Sequence, residues 1–244
     1  MTFENIKNID ISNPSSWQDK IFITFDIDWC SDEVLSYALD IIEKNNIKAT
    51  FFVTHETKLL QRMKENPNIE LGIHPNFNFL LNGDFRQGSS AKEVVQYCKK
   101  FVPDAVSIRS HSLTQGGSIF PAFEDEGFIY ECNTFIPPQG GVQLPYKHTK
   151  QLIKVPHMFE DDVRELYEDE WDLKKYLDYK GIKVFDFHPI HIFLNSENIE
   201  RYNSAREHLQ NFDELKKCVN NKVYGTKDFM IDLIENSNKE TPCH

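Results

Sequence analysis

Short apolar runs alternate with amphipathic segments along the chain, and this pattern predicts strands that alternate with helices. The run at 20–28, with the sequence KIFITFDID, has the length and the β-branched and aromatic content of a buried strand. The segment at 32–45 spaces its apolar residues three and four apart, as the buried face of a helix requires. The same reasoning predicts seven strands in all, at 20–28, 48–54, 69–73, 105–110, 128–132, 152–156 and 182–187.

Helices are predicted between these strands and after the last of them. Ser90 and Glu93 have the spacing of a capping box, which begins a helix that continues to about Phe101. Prolines and glycines between 136 and 150 exclude regular structure there. Strands that alternate with helices favour an α/β fold with a parallel sheet, either open or closed into a barrel. The further predicted helices lie at 57–65, 119–126 and 162–180, and two or three more lie within 196–236.

The composition is that of a folded, acidic protein. Its 38 acidic and 27 basic residues give a formal charge of −11, which excludes a general nucleic-acid binder because such a protein needs a basic face. The hydrophobic content of 40% supplies a core for a single domain over 1–244, centred on about 18–236. No apolar run approaches the roughly 20 residues of a membrane span, and 1–16 has no apolar signal core. The five cysteines form no disulfide framework, so we expect reduced thiols and a cytoplasmic protein.

Five histidines lie at the C-terminal ends of different predicted strands. In a (β/α) barrel these ends all meet at one face, which is where such enzymes hold their functional residues. Strand alternation also places Thr24, Asp26 and Asp28 on one side of the first strand. A shared polar site at one end of a barrel is therefore expected. The five histidines are His55, His74, His111, His157 and His188.

A divalent cation is the expected centre of this site. Two carboxylates as close as Asp26 and Asp28 repel each other unless a cation or a proton lies beside them. Imidazole together with carboxylate suits zinc or a similar ion. His74 and Asn78 lie one helical turn apart, so both side chains can face one ion, although Asn78 could instead hold the loop.

These motifs resemble those of the polysaccharide deacetylase family, the carbohydrate esterases with a NodB-homology domain. The family's first motif, a strand ending T-F-D-D, is matched by T-F-D-I-D at 24–28, and its H-x-x-x-H motif by H-P-N-F-N at 74–78. The strand A-T-F-F-V at 49–53, the R-S-H at 109–111 and the F-D-F-H at 185–188 follow in the family's order. The segments G-I-H-P-N-F, R-S-H-S and F-H-P-I-H are similar to the WbmS-like subgroup, which is linked to lipopolysaccharide O-antigen synthesis.

The resemblance implies an α/β fold, namely a distorted (β/α)7-type barrel with extra C-terminal helices, and a role for each matched residue. It implies that Asp26 is the general base and that Asp28 and His74 are metal ligands. Arg109 would hold Asp26 in place and keep it ionised. His188 would be the general acid.

Three departures from the family pattern leave alternatives open. Ile27 separates the two aspartates, so their roles as base and ligand could be exchanged. Asn78 stands where the family has its second metal-binding histidine, which weakens the expected affinity for Zn²⁺ and admits Mn, Fe, Co or Ni. His111 follows Arg109 in place of the usual proline pattern, and it either completes the coordination or pairs with a carboxylate beside it.

Three further residues are additional candidates for the site. His191, three residues after His188, is the alternative general acid. His157 precedes three acids at 160–162, for which we favour the cap of a following helix, since acids stabilise a helix N-terminus. Trp29 follows the aspartates and would be a stacking surface for a sugar or a lid over the metal.

The implied reaction is metal-dependent hydrolysis of an N-acetyl or other N-acyl group on an amino sugar. The substrate would be an amino sugar, a glycan or a glycolipid, and no nucleic acid is expected as a partner. One alternative is removal of a formyl group or cleavage of another C–N amide bond on a sugar. Another is a degenerate protein that binds a glycan without turnover, which the asparagine at position 78 suggests.

Overall fold

A curved sheet of ten strands organises the protein, in a computed structural model that describes residues 1–167 and 170–237. The long strands at its centre are rich in β-branched and aromatic residues and are buried on both faces, as parallel strands in α/β proteins are. The strands are β1 (Thr2–Phe3), β2 (Lys20–Asp26), β3 (Ala49–Val53), β4 (Ile69–Ile73), β5 (Ser107–Ile108), β6 (Tyr130–Glu131), β7 (Tyr146–Lys147), β8 (Ile153–Lys154), β9 (Phe159–Glu160) and β10 (Lys183–Phe187).

The sheet curls into a distorted barrel. Its strand order is β7-β8-β6-β5-β4-β3-β2-β10-β9, with β1 beside β2, and every pair is parallel except β7 with β8. The chain from β8 to β9 connects the two edges, because β8 pairs with β6 while β9 pairs with β10. Between them, His157 bridges to Phe135. The predicted α/β barrel is confirmed as a curled sheet, whose two end strands do not pair with each other among the described residues.

Ten α-helices surround this sheet in the described part of the chain. Ser31 caps α1 by accepting a hydrogen bond from the backbone N–H of Val34, and Ser90 caps α4 in the same way through Glu93, as predicted. No helix within the described ranges has the length and apolar character that crossing a bilayer requires. The helices are α1 (Asp32–Lys44), α2 (Leu60–Glu65), α3 (Asn78–Leu81), α4 (Ala91–Lys99), α5 (Phe120–Asp125), α6 (Leu173–Leu177), α7 (Pro189–Leu194), α8 (Ile199–Ala205), α9 (Phe212–Leu215) and α10 (Thr226–Ser237).

Apolar side chains form a cluster at the N-terminal end of the barrel interior. Phe22 and Phe52 point into this cluster from β2 and β3. Ile6, Ile9 and Trp17 close it from the N-terminal segment, and all three are buried. The buried core therefore also includes residues before position 18. A separate cluster between α7 and the later helices holds the C-terminal region against the barrel.

The predicted helix at 162–180 is wrong. The chain forms a 3₁₀ turn at Arg164–Tyr167, and α6 covers only Leu173–Leu177. Residues 168–169 lie outside the described part of the chain. The carboxylate of Asp161 binds His188 across the barrel end instead of a helix N-terminus, and the Arg164 guanidinium stacks on Trp171. These tertiary contacts override the local helical pattern.

Gly72 in β4 should not tolerate a side chain. A Cβ at this position would lie 2.6 Å from the Phe52 ring and 2.7 Å from the Ser107 carbonyl oxygen. We expect Gly72→Ala to lower the free energy of unfolding by about 1–3 kcal/mol, as overpacking of a core does. Gly117→Ala is the matched control because nothing lies within 4 Å of its added Cβ. Urea titration of both variants measures the difference, and equal stabilities would refute this packing argument.

Candidate active site

The polar site lies at the C-terminal end of the barrel, where a tight turn follows β2. The strand ends at Asp26, so the prediction that strand alternation carries Asp28 to the same side is wrong. Asp28 and Trp29 both adopt left-handed backbone angles, with φ values of 36° and 52°. The hydroxyl of Thr54, just after β3, accepts a hydrogen bond from the Trp29 backbone and fixes this turn. Such conformations are costly for residues other than glycine and cluster at functional sites.

Asp28, His74 and His111 converge on one point at this end. Asp28 Oδ1 lies 3.2 Å from His74 Nε2 and 3.2 Å from His111 Nδ1, and one ligand atom from each residue lies within 4.8 Å of the others. Tetrahedral zinc with bonds of about 2.0–2.2 Å needs ligand atoms roughly 3.3–3.6 Å apart. The donor set of two imidazoles and one carboxylate therefore fits a divalent ion. It leaves a fourth position for substrate or water.

A 3₁₀ turn at His111–Leu113 brings His111 into this group. The backbone N–H of His111 donates to the Pro75 carbonyl oxygen at 3.0 Å, which ties this turn to the segment after β4. The Asn78 amide donates to the Ser112 hydroxyl at 3.1 Å. Asn78 thus contacts the turn that carries His111, and its role as a ligand stays a prediction.

The charges around Asp28 favour its ionised form. Burial acts to raise the pKa of Asp28, but hydrogen bonds from His111 and His74 outweigh it and hold the pKa well below its ordinary value. The Trp29 ring meets the His111 ring edge-on, with centroids 5.1 Å apart. A carboxylate that stays ionised beside two imidazoles can hold a cation.

Asp26 lies behind His74 and is held by a buried arginine. The Arg109 guanidinium donates to Asp26 Oδ1 at 3.1 Å and also contacts Thr24 and Asp186 through the same nitrogen. The other oxygen of Asp26 lies 3.4 Å from His74 Nδ1. Burial acts to lower the pKa of Arg109, but the charges of Asp186 and Asp26 outweigh it and raise the pKa. The guanidinium therefore remains charged.

His188 faces the Asp28 carboxylate from β10. Its Nδ1 lies 2.7 Å from Asp161 Oδ1, and its backbone N–H donates to the second oxygen of Asp161 at 2.9 Å. Its Nε2 lies 3.8 Å from Asp28 Oδ2. Burial acts to lower the pKa of His188, yet the carboxylates of Asp162 and Asp161 raise it well above the ordinary value. His188 is therefore an imidazolium near neutral pH, with one N–H directed toward the site.

The pKa of His191 is shifted in the opposite direction from that of His188. Burial and the neighbouring His188 charge lower the pKa of His191 to about 4, so this ring is neutral at physiological pH. Its Nδ1 lies 3.0 Å from the Ser196 hydroxyl. A neutral imidazole cannot serve as the proton donor that His188 can.

The histidines at 157 and 55 lie in two different environments. His157 is fully buried, with its Nε2 3.2 Å from Glu160 Oε2 in β9. Because Glu160 binds His157 and Asp161 binds His188, the interpretation of 160–162 as a helix cap is wrong. His55 pairs with the adjacent Thr54 hydroxyl and belongs to none of the carboxylate–imidazole groups among the described residues.

Sequence reasoning missed Asp161 and Asp186 as members of this site. Asp186 is fully buried and precedes His188 by two residues on the same side of β10, a spacing that could have indicated it. Asp186, His157 and Glu160 also bring ligand atoms within 4.8 Å of one another. The Arg109 guanidinium bonded to Asp186 makes that group less favourable for a cation than Asp28, His74 and His111.

A cavity of about 340 Å³ opens beside these residues. Asp28 and His111 lie at one side of it, and His188 and His191 line it further along. Trp29 also lines it.

A protein-family model and a solved structure both match most of this chain. The family model for WbmS-like polysaccharide deacetylases matches residues 23–206. A crystal structure from Bordetella bronchiseptica is 41% identical, with a TM-score of 0.91, and the match covers 97% of this chain and 98% of that one. The activity proposed for that protein is polysaccharide deacetylation in O-antigen biosynthesis.

Two further structures match the chain at lower similarity. A proposed polysaccharide deacetylase from Mycobacterium smegmatis is 15% identical, with a TM-score of 0.48, and the match covers 89% of this chain and 90% of that one. A family 4 carbohydrate esterase from Streptomyces lividans, in complex with acetate, is 10% identical, with a TM-score of 0.44 and coverage of 69% and 78%. A comparison with curated proteins gave no match.

Proposed function

Because the chain belongs to the WbmS-like polysaccharide deacetylase family, we propose that it is a metal-dependent hydrolase that removes an N-acetyl or other N-acyl group from an amino sugar. The substrate would be a glycan or glycolipid precursor of a surface polysaccharide such as lipopolysaccharide O-antigen. The observation that carries this proposal is the convergence of Asp28, His74 and His111 on one point that a charged His188 faces. The four described cysteines are free thiols, and we propose a cytoplasmic site of action.

Asp28, His74 and His111 would hold the metal, with zinc as the first choice and manganese, iron, cobalt or nickel as alternatives. A divalent ion at this position supplies Lewis-acid chemistry to the amide carbonyl and to water. The other ring nitrogen of His74 is buried and lies 3.4 Å from the Asp26 carboxylate without a hydrogen bond.

Asp26 would accept the proton of the attacking water. Its carboxylate is buried, and Arg109 donates a hydrogen bond to one of its oxygens. Thr24 and Asp186 in turn hold the guanidinium, so the base cannot rotate away from the site.

His188 would protonate the departing amine. An amine is a poor leaving group unless it is protonated, so hydrolysis of an amide needs a positioned acid. Asp161 holds His188 Nδ1 and thereby leaves Nε2–H directed toward the Asp28 side of the cavity. The charged His188, and not the neutral His191, has the proton to give.

The choice between His111 and Asn78 as third ligand can be tested by metal affinity. We expect His111→Ala to weaken metal binding by more than about 100-fold, and Asn78→Ala by about tenfold, the loss typical of a residue that supports a ligand. Competition with a chromophoric chelator, starting from stripped protein, measures both constants. A larger loss for Asn78→Ala would make Asn78 the ligand and His111 its support.

The function itself is tested by acyl release. Stripped protein is reloaded with one metal at a time and incubated with surface glycans and carrier-linked amino sugars from cells that lack its gene, and released acetate and formate are then quantified. We expect acetate release that depends on the metal and is absent from stripped protein. Release of formate alone would indicate a deformylase. Metal binding with no release from any glycan would overturn the proposed hydrolase in favour of a binding protein.

A further inference from the structure

Ring-bearing side chains follow one another in a fixed order along the cavity beside the proposed metal ligands. Trp29 and His111 lie at one side, with ring centroids 5.1 Å apart. His188 follows, 3.8 Å from Asp28, and the His191 ring lies 5.8 Å beyond His188. Tyr202 of α8 comes next, with its ring centroid 5.1 Å from that of His191. All of these residues except Asp28 are aromatic, and all of them line the same space.

The order of these residues indicates on which side of the cavity the sugar lies and on which side the acyl group lies. The amide carbonyl belongs beside Asp28 and His111, and the departing nitrogen belongs beside the proton donor His188. The space beyond His188, toward His191 and Tyr202, must therefore receive the sugar that carries the amine. The acyl group then lies on the other side, away from α8.

The sugar side of the cavity, beyond His188, is mostly apolar. Its wall consists of Ile190, Ile199, Tyr202 and Leu209, which α7, α8 and the following turn supply. None of the described residues that line the cavity is a lysine or an arginine, whereas Asp28 and Asp162 contribute carboxylates. A uronate carboxylate or a phosphate placed beyond His188 would find no lysine or arginine to pair with and would lie near the Asp162 carboxylate. An uncharged ring with an apolar face fits these walls.

The C-terminal region also lines the far side of the cavity. Gln210 lines the cavity, and its amide donates to the Trp29 carbonyl oxygen at 3.3 Å, which joins the C-terminal helices to the turn after β2. Leu209 and Tyr202 pack on the buried residues of α7. A volume of about 340 Å³ is at the small end of ligand pockets, roughly 300–1,000 Å³, and suits one sugar ring with its acyl group.

From this we infer that the enzyme acts on a single uncharged amino sugar at the terminus of its glycan or carrier, and not on residues within a chain. This inference rests on the proposed function. The wall of α7, α8 and Gln210 stands on that side and a cavity of this size holds one ring, so the rest of the molecule leaves through the cavity opening. Any charge on the carrier then lies outside the cavity.

The experiment compares chain lengths. Surface polysaccharide from cells that lack the gene is separated by length, and carrier-linked single sugars from the same cells serve as the shortest fraction. Each fraction is treated with metal-loaded enzyme, and the new amines are labelled and located by mass spectrometry. We expect new amines only on terminal rings without carboxylate or phosphate, so that the amine yield per gram falls as the chains lengthen.

Two outcomes would overturn the inference while leaving the hydrolase intact. One is a yield per gram that is constant with length, with amines inside the chains. The other is deacylation of a ring that carries a carboxylate or a phosphate. Absence of acyl release from every fraction would instead remove the proposed function, and the inference with it.

Variants of the cavity wall give a second, independent test. We expect Leu209→Trp to fill the sugar side and Tyr202→Ala to remove its aromatic surface, each raising KM roughly tenfold or more with kcat and metal content retained. Leu166→Trp is the control, because Leu166 is 79% exposed and does not line the cavity. Unchanged KM in both wall variants would show that the sugar lies elsewhere.

Discussion

Replacing Asp26 with asparagine should lower kcat by about 10²–10⁴-fold, the contribution typical of a general base. Asparagine keeps the shape of the side chain and can still accept the hydrogen bond from Arg109, but it cannot take up a proton. His74 and Asp28 keep their positions, so one equivalent of metal should remain bound. Steady-state kinetics and metal analysis of the same preparation measure both properties.

Asp28→Asn is the matched control for this experiment. It also removes one carboxylate from the site, but from the residue whose oxygen lies 3.2 Å from both His74 and His111. We expect this variant to lose metal first, and its activity to recover in part at high metal concentration. If Asp26→Asn turns over at the wild-type rate with metal bound, then Asp26 is not the base. If instead it loses the metal, the roles of the two aspartates are exchanged.

Replacing His188 with asparagine should cost about 10²–10⁴-fold in kcat on an amide substrate, because the amine then leaves without a proton donor. The loss depends on the leaving group, which gives a test that a merely structural role would not pass. An activated aryl ester such as 4-nitrophenyl acetate releases a weakly basic phenolate that does not need protonation. We expect the ester rate to change less than about tenfold in the same variant.

Equal losses on amide and ester would mean that His188 supports the site without donating the proton. Asp161→Asn provides the related check on positioning, because Asp161 binds both the ring and the backbone N–H of His188. That variant should lose amide activity in the same selective way, by a smaller factor.

The barrel and the location of its polar end could be predicted from the sequence because both depend on local patterns. Apolar runs of strand length alternate with helical segments, and the residues after several of these runs are histidine or aspartate. His74 and His188 follow their strands directly, so they lie where strand ends converge. Asp26 ends its strand and lies at the same place.

The positions of Asp28 and His111 could not be predicted because long-range contacts set them. The strand ends two residues before Asp28, and the Thr54 hydroxyl of a neighbouring segment holds the turn that redirects its carboxylate. His111 enters the site through a hydrogen bond between its backbone and Pro75. Neither contact leaves a periodic signal in the chain.

Asp161 shows how a tertiary contact can reverse a local preference. Acids before an amphipathic segment are typical of a helix start, and this pattern favoured a cap at 160–162. In the structure the charged pair with His188 places Asp161 inside the barrel end, and the helix does not form. For the buried aspartate at 186, only its spacing from His188 is a local signal, and its pairing with Arg109 depends on the folded barrel.

The most direct measurement is a crystal structure of the metal-loaded enzyme with anomalous scattering data collected at the edge of the bound metal. We expect one ion per chain, with Asp28, His74 and His111 as its protein ligands at about 2.0–2.2 Å. An ion bound elsewhere in the barrel, or ligand atoms of Asp28 and His74 too far apart to share one ion, would contradict the metal site on which the proposed hydrolysis depends.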